Sequence, residues 1–152
     1  YIPSLMRNRS ANRSQFHIYE GAISDKPMIQ SEWRSKQYEN TEDVLSEKWT
    51  IIPTISLTNF IKKYPLQFNT IVADCEGALV YLLESNPWFL NQINKIILEH
   101  DFNTKEDLLS FNRMMKLYKF KQVDSVSKKS VGLEHWSDGV QEDPIFVSVW
   151  KK

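Results

Sequence analysis

The chain has 152 residues, one domain's worth of polypeptide, with 41% hydrophobic and 25% charged residues in the proportions of a globular protein with a sizeable core. Nineteen basic and nineteen acidic residues cancel, which excludes a global pull toward nucleic acid or an anionic membrane surface. No apolar run approaches the roughly 20 residues that span a bilayer, and the amino-terminal residues lack the charged-then-apolar order of a signal peptide. A soluble, cytoplasmic protein with no nucleic-acid or membrane partner is expected, and Tyr1 in place of a methionine suggests a natural start further upstream. Cys75 is the single cysteine, which agrees with a reducing compartment and reads as small buried filler.

In chain order, Pro3 suits the first turn of a helix running to about Ser14, with Leu5 and Met6 toward a core and Arg7, Arg9 and Arg13 toward water. Phe16-His17-Ile18-Tyr19 alternates and is rich in aromatic and β-branched residues, so it predicts a strand ending in the small-residue turn Glu20-Gly21-Ala22-Ile23-Ser24. From Asp25 to Ser46 the text is polar and reads as a surface excursion, anchored by Trp33 and Tyr38. Trp49 to Ile55 is strand-like, and a short helix begins near Ser56 and closes at Tyr64-Pro65.

Thr70-Ile71-Val72-Ala73 reads as a strand covered on both faces. It stops at Asp74-Cys75-Glu76-Gly77-Ala78, after which Leu79, Leu82 and Leu83 repeat at helical spacing as far as Ser85. Asn86-Pro87 marks a break, and a short helical piece follows over residues 89–94. Lys95-Ile96-Ile97-Leu98 is a second buried run, and it too ends in titratable residues, Glu99-His100-Asp101. Thr104 with Asp107 forms a capping-box start for a helix that carries Leu108, Phe111, Met115 and Tyr118. Strands over residues 120–126 and 145–150 flank a polar loop containing Gly132, Trp136 and Gly139.

This alternation predicts an α/β fold, a mainly parallel sheet with a closing hairpin-like pair. Right-handed crossovers would bring the ends of the 16–19, 70–74 and 95–99 strands to one rim, gathering Gly21, Ala22, Asp74, Glu76, Glu99, His100 and Asp101. Ligands of open α/β sheets bind at such a rim. The competing reading makes Asp74 and Glu76 caps of the following helix. Glu99, His100 and Asp101 could supply a base or, with Asp74, hard oxygen ligands for a divalent cation; a metal is not part of the main expectation.

At these residues the chain resembles the FkbM family of S-adenosylmethionine-dependent methyltransferases. The family's hallmark is a strand ending in an Asp-x-Glu-Gly-Ala turn, a leucine-rich helix, and a second strand ending in Glu with a nearby His. Asp74-Cys75-Glu76-Gly77-Ala78 and Glu99-His100 fit that order. Pro3, Leu5, Asn8 and Asn12 resemble the helix after the family's second strand, and Gly21-Ala22-Ile23-Ser24 the turn after its third. The chain departs from the pattern at Leu79, where the family has a second Glu, and at Val72, where it has Lys. The family's glycine-rich first strand-turn, which carries the methionine end of the cofactor, is absent, as is the acid that holds the ribose hydroxyls.

The resemblance therefore implies a Rossmann-like class I methyltransferase sheet that lacks its first strands, with residues 1–152 forming the carboxyl-terminal part of one domain. The missing strands would come from an upstream segment or from another chain. It implies S-adenosylmethionine as cofactor, lying along Gly21, Ala22 and Ile23, and a small-molecule or sugar hydroxyl as acceptor. Asp74, Glu76, Glu99 and His100 become the candidate catalytic residues, with Asp74 the best-placed base. The alternative is a module that has kept the fold without the catalysis and serves in interaction or structure. A phosphate loop of the GxxxxGK kind occurs nowhere in the chain.

Overall fold

The computed structural model describes residues 2–31, 34–38, 49–133 and 144–152. It is a mixed α/β fold in which the strands divide among three sheets. The four-stranded sheet is built from β6 (Thr70–Ala73), β7 (Lys95–Glu99), β8 (Lys121–Ser127) and β9 (Ile145–Lys151), in the order β6-β7-β9-β8. β6 and β7 are parallel, with Val72 opposite Ile97, and β9 runs antiparallel to both of its neighbours.

One face of this sheet makes the core. Ile96 and Leu98 on β7 are buried against α3 (Ala78–Ser85) and α4 (Lys105–Leu117), which contribute Leu79, Val80, Leu83, Phe111 and Met115. The helix α4 starts where its sequence says it should: the Thr104 side chain accepts from Asp107 N–H at 3.1 Å and the Asp107 carboxylate accepts from Thr104 N–H at 3.0 Å. A 3-10 turn over Pro87–Asn91, entered through the Asn86-Pro87 break, closes the core with Phe89 and Leu90. Ser148 lies at the centre of the sheet and is fully buried. Its hydroxyl accepts from Trp150 Nε1 at 2.7 Å and meets His100 Nε2 at 2.6 Å, so these polar groups satisfy one another inside the core.

Several expectations are corrected. The four-stranded sheet is mixed, not mainly parallel, and β6 is covered on one face only. Ala73 is buried while Val72, on the opposite face, is 73% exposed. An apolar run of three residues is too short to separate a doubly covered strand from a singly covered one. Residues 16–19 form no strand; their rings stack on α2 (Leu57–Lys63) instead, His17 on Tyr64 at 5.2 Å and Tyr19 on Phe60 at 5.8 Å. The helix α1 (Ile2–Ala11) forms but buries nothing, and Leu5 and Met6 face water.

The polar excursion is more ordered than expected. β2 (Met28–Ser31) pairs antiparallel with β3 (Arg34–Gln37) on one side and β4 (Thr50–Ile52) on the other, and Met28 and Ile29 are buried. A separate two-stranded parallel sheet joins β1 (Ala22–Ile23) to β5 (Thr54–Ile55), with Pro53 separating β4 from β5. Tyr38 is half-buried, and its N–H donates to Pro27 C=O at 3.2 Å. Trp33, Trp136 and Gly139 lie outside the described residues. No helix among the described residues is long and apolar enough to cross a membrane.

Candidate functional site

The turn that links β6 to α3 bends sharply. Glu76 has φ 53° and Gly77 φ 81°, both left-handed. Gly77 is required twice over, because a Cβ there would lie 2.5 Å from Asn103 Nδ2 and 3.1 Å from the Asp101 carbonyl oxygen, besides the strained φ. The helix α3 has Gly77 at its N-cap and so no capping side chain at that position. The Asp101 carboxylate, just beyond β7, accepts from Cys75 N–H at 3.3 Å. The Ala78 N–H donates to the Cys75 carbonyl at 3.0 Å.

The excursion is fastened to this turn through Ser35, whose two backbone groups are both used. Ser35 N–H donates to Glu76 C=O at 2.9 Å, and Ser35 C=O accepts from Asn103 Nδ2 at 2.9 Å. Further along, Asn86 Nδ2 donates to the Asp25 carboxylate at 2.5 Å. These contacts set β3 beside the turn, and a cleft of about 560 Å³ lies between the two segments. Volumes of a few hundred cubic ångströms suit a small organic ligand.

One side of the cleft is Gly21, Ala22 and Ile23, backed by Met28, Gln30, Ser35 and Ile52; the other is Ile71 to Glu76 with Ala78, Leu79 and Leu82. Gly21 is held by space as well as by its φ of 148°, since a Cβ would lie 2.5 Å from Pro53 C=O. The amides of Ala22 and Ser24 donate to Pro53 and Ile55 of the paired segment. The alternation of a strand therefore turns the Ile23 N–H and C=O to the opposite edge.

The structure thus brings together Gly21, Ala22, Ile23, Asp74 and Glu76 and sets Glu99 and His100 apart from them. Glu99 ends β7 outside the cleft lining but close enough to the rim to feel its charges. Burial first, then the neighbouring Asp74 and Asp101, hold its carboxyl above the usual range. His100 is 5% exposed, bonded to Ser148 and edge-on to Phe102 at 5.3 Å, so it sits in the core beneath the rim. Burial raises the Asp101 carboxyl, against the pull of the backbone N–H groups around it. It also pushes the Cys75 thiol up to about 12, which keeps it protonated and a poor nucleophile at neutral pH.

Among the described residues, no three His, Cys, Asp or Glu side chains are grouped so as to hold a metal ion. Sequence reasoning missed Met28, Gln30, Ser35 and Ile52 as cleft residues and Asn103 as a strap. The apolar pair Met28-Ile29 after Pro27 was the only local signal for them. A second hollow of about 670 Å³ lies near the last turn of α4, lined by Leu117, Tyr118, Lys119, Asn91 and Lys152. Lys152 Nζ there donates to the Leu90 and Asn91 carbonyls, at 2.6 and 3.1 Å.

The cleft's residues can do two things chemically. The apolar side chains of Ile23, Met28, Ile52 and Ile71 can cover a flat ring, and the carboxylates of Asp74 and Glu76 can accept hydrogen bonds from hydroxyls or take a proton from one. Compared with known proteins, the chain matches no family model, no curated protein and no solved structure.

Proposed function

We propose that residues 1–152 form the carboxyl-terminal part of a class I, Rossmann-like O-methyltransferase of FkbM type, using S-adenosylmethionine to methylate a hydroxyl of a small molecule or sugar. The observation that carries this reading is the single cleft joining the turn at Gly21–Ile23 to the turn at Asp74–Glu76. Some fifty residues separate these two segments in the chain, and the resemblance assigns one to the cofactor and the other to the chemistry. The parallel pair β6–β7, followed by an antiparallel closing pair, supports the same reading at the level of the fold.

The residues present would hold only the adenine end of the cofactor; the groups for its methionine and ribose would come from the missing upstream strands. Ala22 and Ile23 offer an apolar wall and an outward-facing backbone edge for the adenine, and the cleft has the volume for a ligand of that kind. When bound, the cofactor supplies the activated methyl group. Asp74 would accept the proton of the acceptor hydroxyl, and Glu76 would hold a second hydroxyl of the same molecule in line. The outer edge of β6 has no strand beside it among the described residues. The reading assigns that edge to a strand from an upstream segment or from another chain. The lone protonated thiol suits a cytoplasmic setting.

Calorimetric titration of S-adenosylhomocysteine tests the proposal, using the 152-residue chain and a version extended by its natural upstream residues. Saturable binding at one site, weakened at least ten-fold by Gly21→Val, is the expected result. Absence of binding by both proteins would overturn the methyltransferase reading and favour a non-catalytic interaction module.

A further inference from the structure

We infer that Asp101 is the positioning residue of the cleft, a built-in hydrogen-bond acceptor that holds the 74–77 turn in the shape that sets Asp74 and Glu76 along the cleft wall. The backbone of the turn calls for such a group. Glu76 carries a Cβ at φ 53°, a conformation that persists only where its surroundings enforce it. The Cys75 N–H donates to the Asp101 carboxylate at 3.3 Å, and Gly77 is packed so closely on residues 101–103 that a methyl group would not fit.

The helix α3 has no side-chain cap at Gly77. The carboxylate that holds the turn ahead of it comes from a residue twenty-six positions beyond Cys75. Asp101 touches no ligand in this scheme; it acts through the turn.

The part of this inference that concerns ligand affinity rests on the methyltransferase reading; the part that concerns the turn does not. The experiment compares the wild-type chain with Asp101→Asn and Asp101→Ala, by amide hydrogen exchange and by titration with S-adenosylhomocysteine. Exchange of the Cys75, Glu76 and Gly77 amides should quicken on the order of ten- to a hundred-fold in Asp101→Ala and less in Asp101→Asn, which keeps an acceptor oxygen, while the amides of α4 keep their protection. Affinity of Asp101→Ala for S-adenosylhomocysteine should fall about ten-fold or more, and added formate should restore both properties by supplying the missing acceptor.

Unchanged turn exchange in Asp101→Ala, equal quickening in the two variants, or no response to formate would each overturn the inference. Loss of protection throughout both variants would also overturn it, by making Asp101 a general structural support. If the wild type does not bind S-adenosylhomocysteine, the methyltransferase reading falls, and the turn amides still decide the role of Asp101.

Discussion

The two halves of the molecule are held together by different physics. From residue 73 to residue 120 the chain supplies every member of the main buried cluster except Leu57, and apolar packing does the holding. The amino-terminal part is fastened to it by polar straps, Ser35 to Glu76 and Asn103 and Asp25 to Asn86, and by Leu57, Ile23, Ile61 and Phe68 at the margin of the cluster. The cleft lies between a packed platform and a strapped cover, so its two walls should differ in how readily they open.

The sharpest way to break this contrast is at Phe111, which is fully buried and meets Trp150 and Phe102 at 5.6 and 5.5 Å. Phe111→Ala should cost about 3–5 kcal/mol in urea unfolding and should loosen the whole platform. Gly77→Ala comes next, at about 1–3 kcal/mol, because it adds a Cβ at positive φ and pushes Asn103 off Ser35. Asn103→Ala should cost about 1–2 kcal/mol, and its signature is selective. Amide exchange in β3 should quicken while α4 is unaffected, and equal loosening of both would refute the distinction between strap and platform.

A smaller effect follows from the rim. Glu99 and Asp101 both have folded-state values above their unfolded ones. Their protonated forms are relatively favoured by folding, so their contribution is fully present below the unfolded carboxylate range near ~4 and is lost as pH rises through the raised values. Glu99→Gln should flatten the fall of wild-type stability across that window, read from melting temperature against pH; an unaltered slope would count against the shared charge of the rim. The smallest effect is expected at α1, where Leu5→Ala should stay within about 0.5 kcal/mol because the side chain is already in water.

What the sequence made legible follows the same division. The turn at residues 74–78, the helix after it, the second strand and the capping box at Thr104 are set by local signals, and the structure places them at or within a residue or two of their expected positions. Contacts over long separations were not legible. The alternation at residues 16–19 serves ring stacking on α2, because a strand needs a neighbour and none pairs there. β2 and β3 were hidden because Gln30, Ser31, Arg34, Lys36 and Gln37 read as solvent-facing text, although Ser35 is buried under the turn. Asn103 carried no mark beyond its place ahead of Thr104. Periodicity can report which side of an element is apolar, but not which distant carbonyl a polar side chain will reach.

The placement of β9 has a consequence for the order in which the molecule assembles. Residues 145–151 lie between β7 and β8, so β7 has only β6 beside it, and β8 no strand partner among the described residues, until they have been made. A nascent chain halted at residue 133 would present two unfinished ribbons, with Ile96 and Leu98 lacking the cross-strand partners Trp150 and Ser148. Completion of the platform therefore waits on residues 145–151.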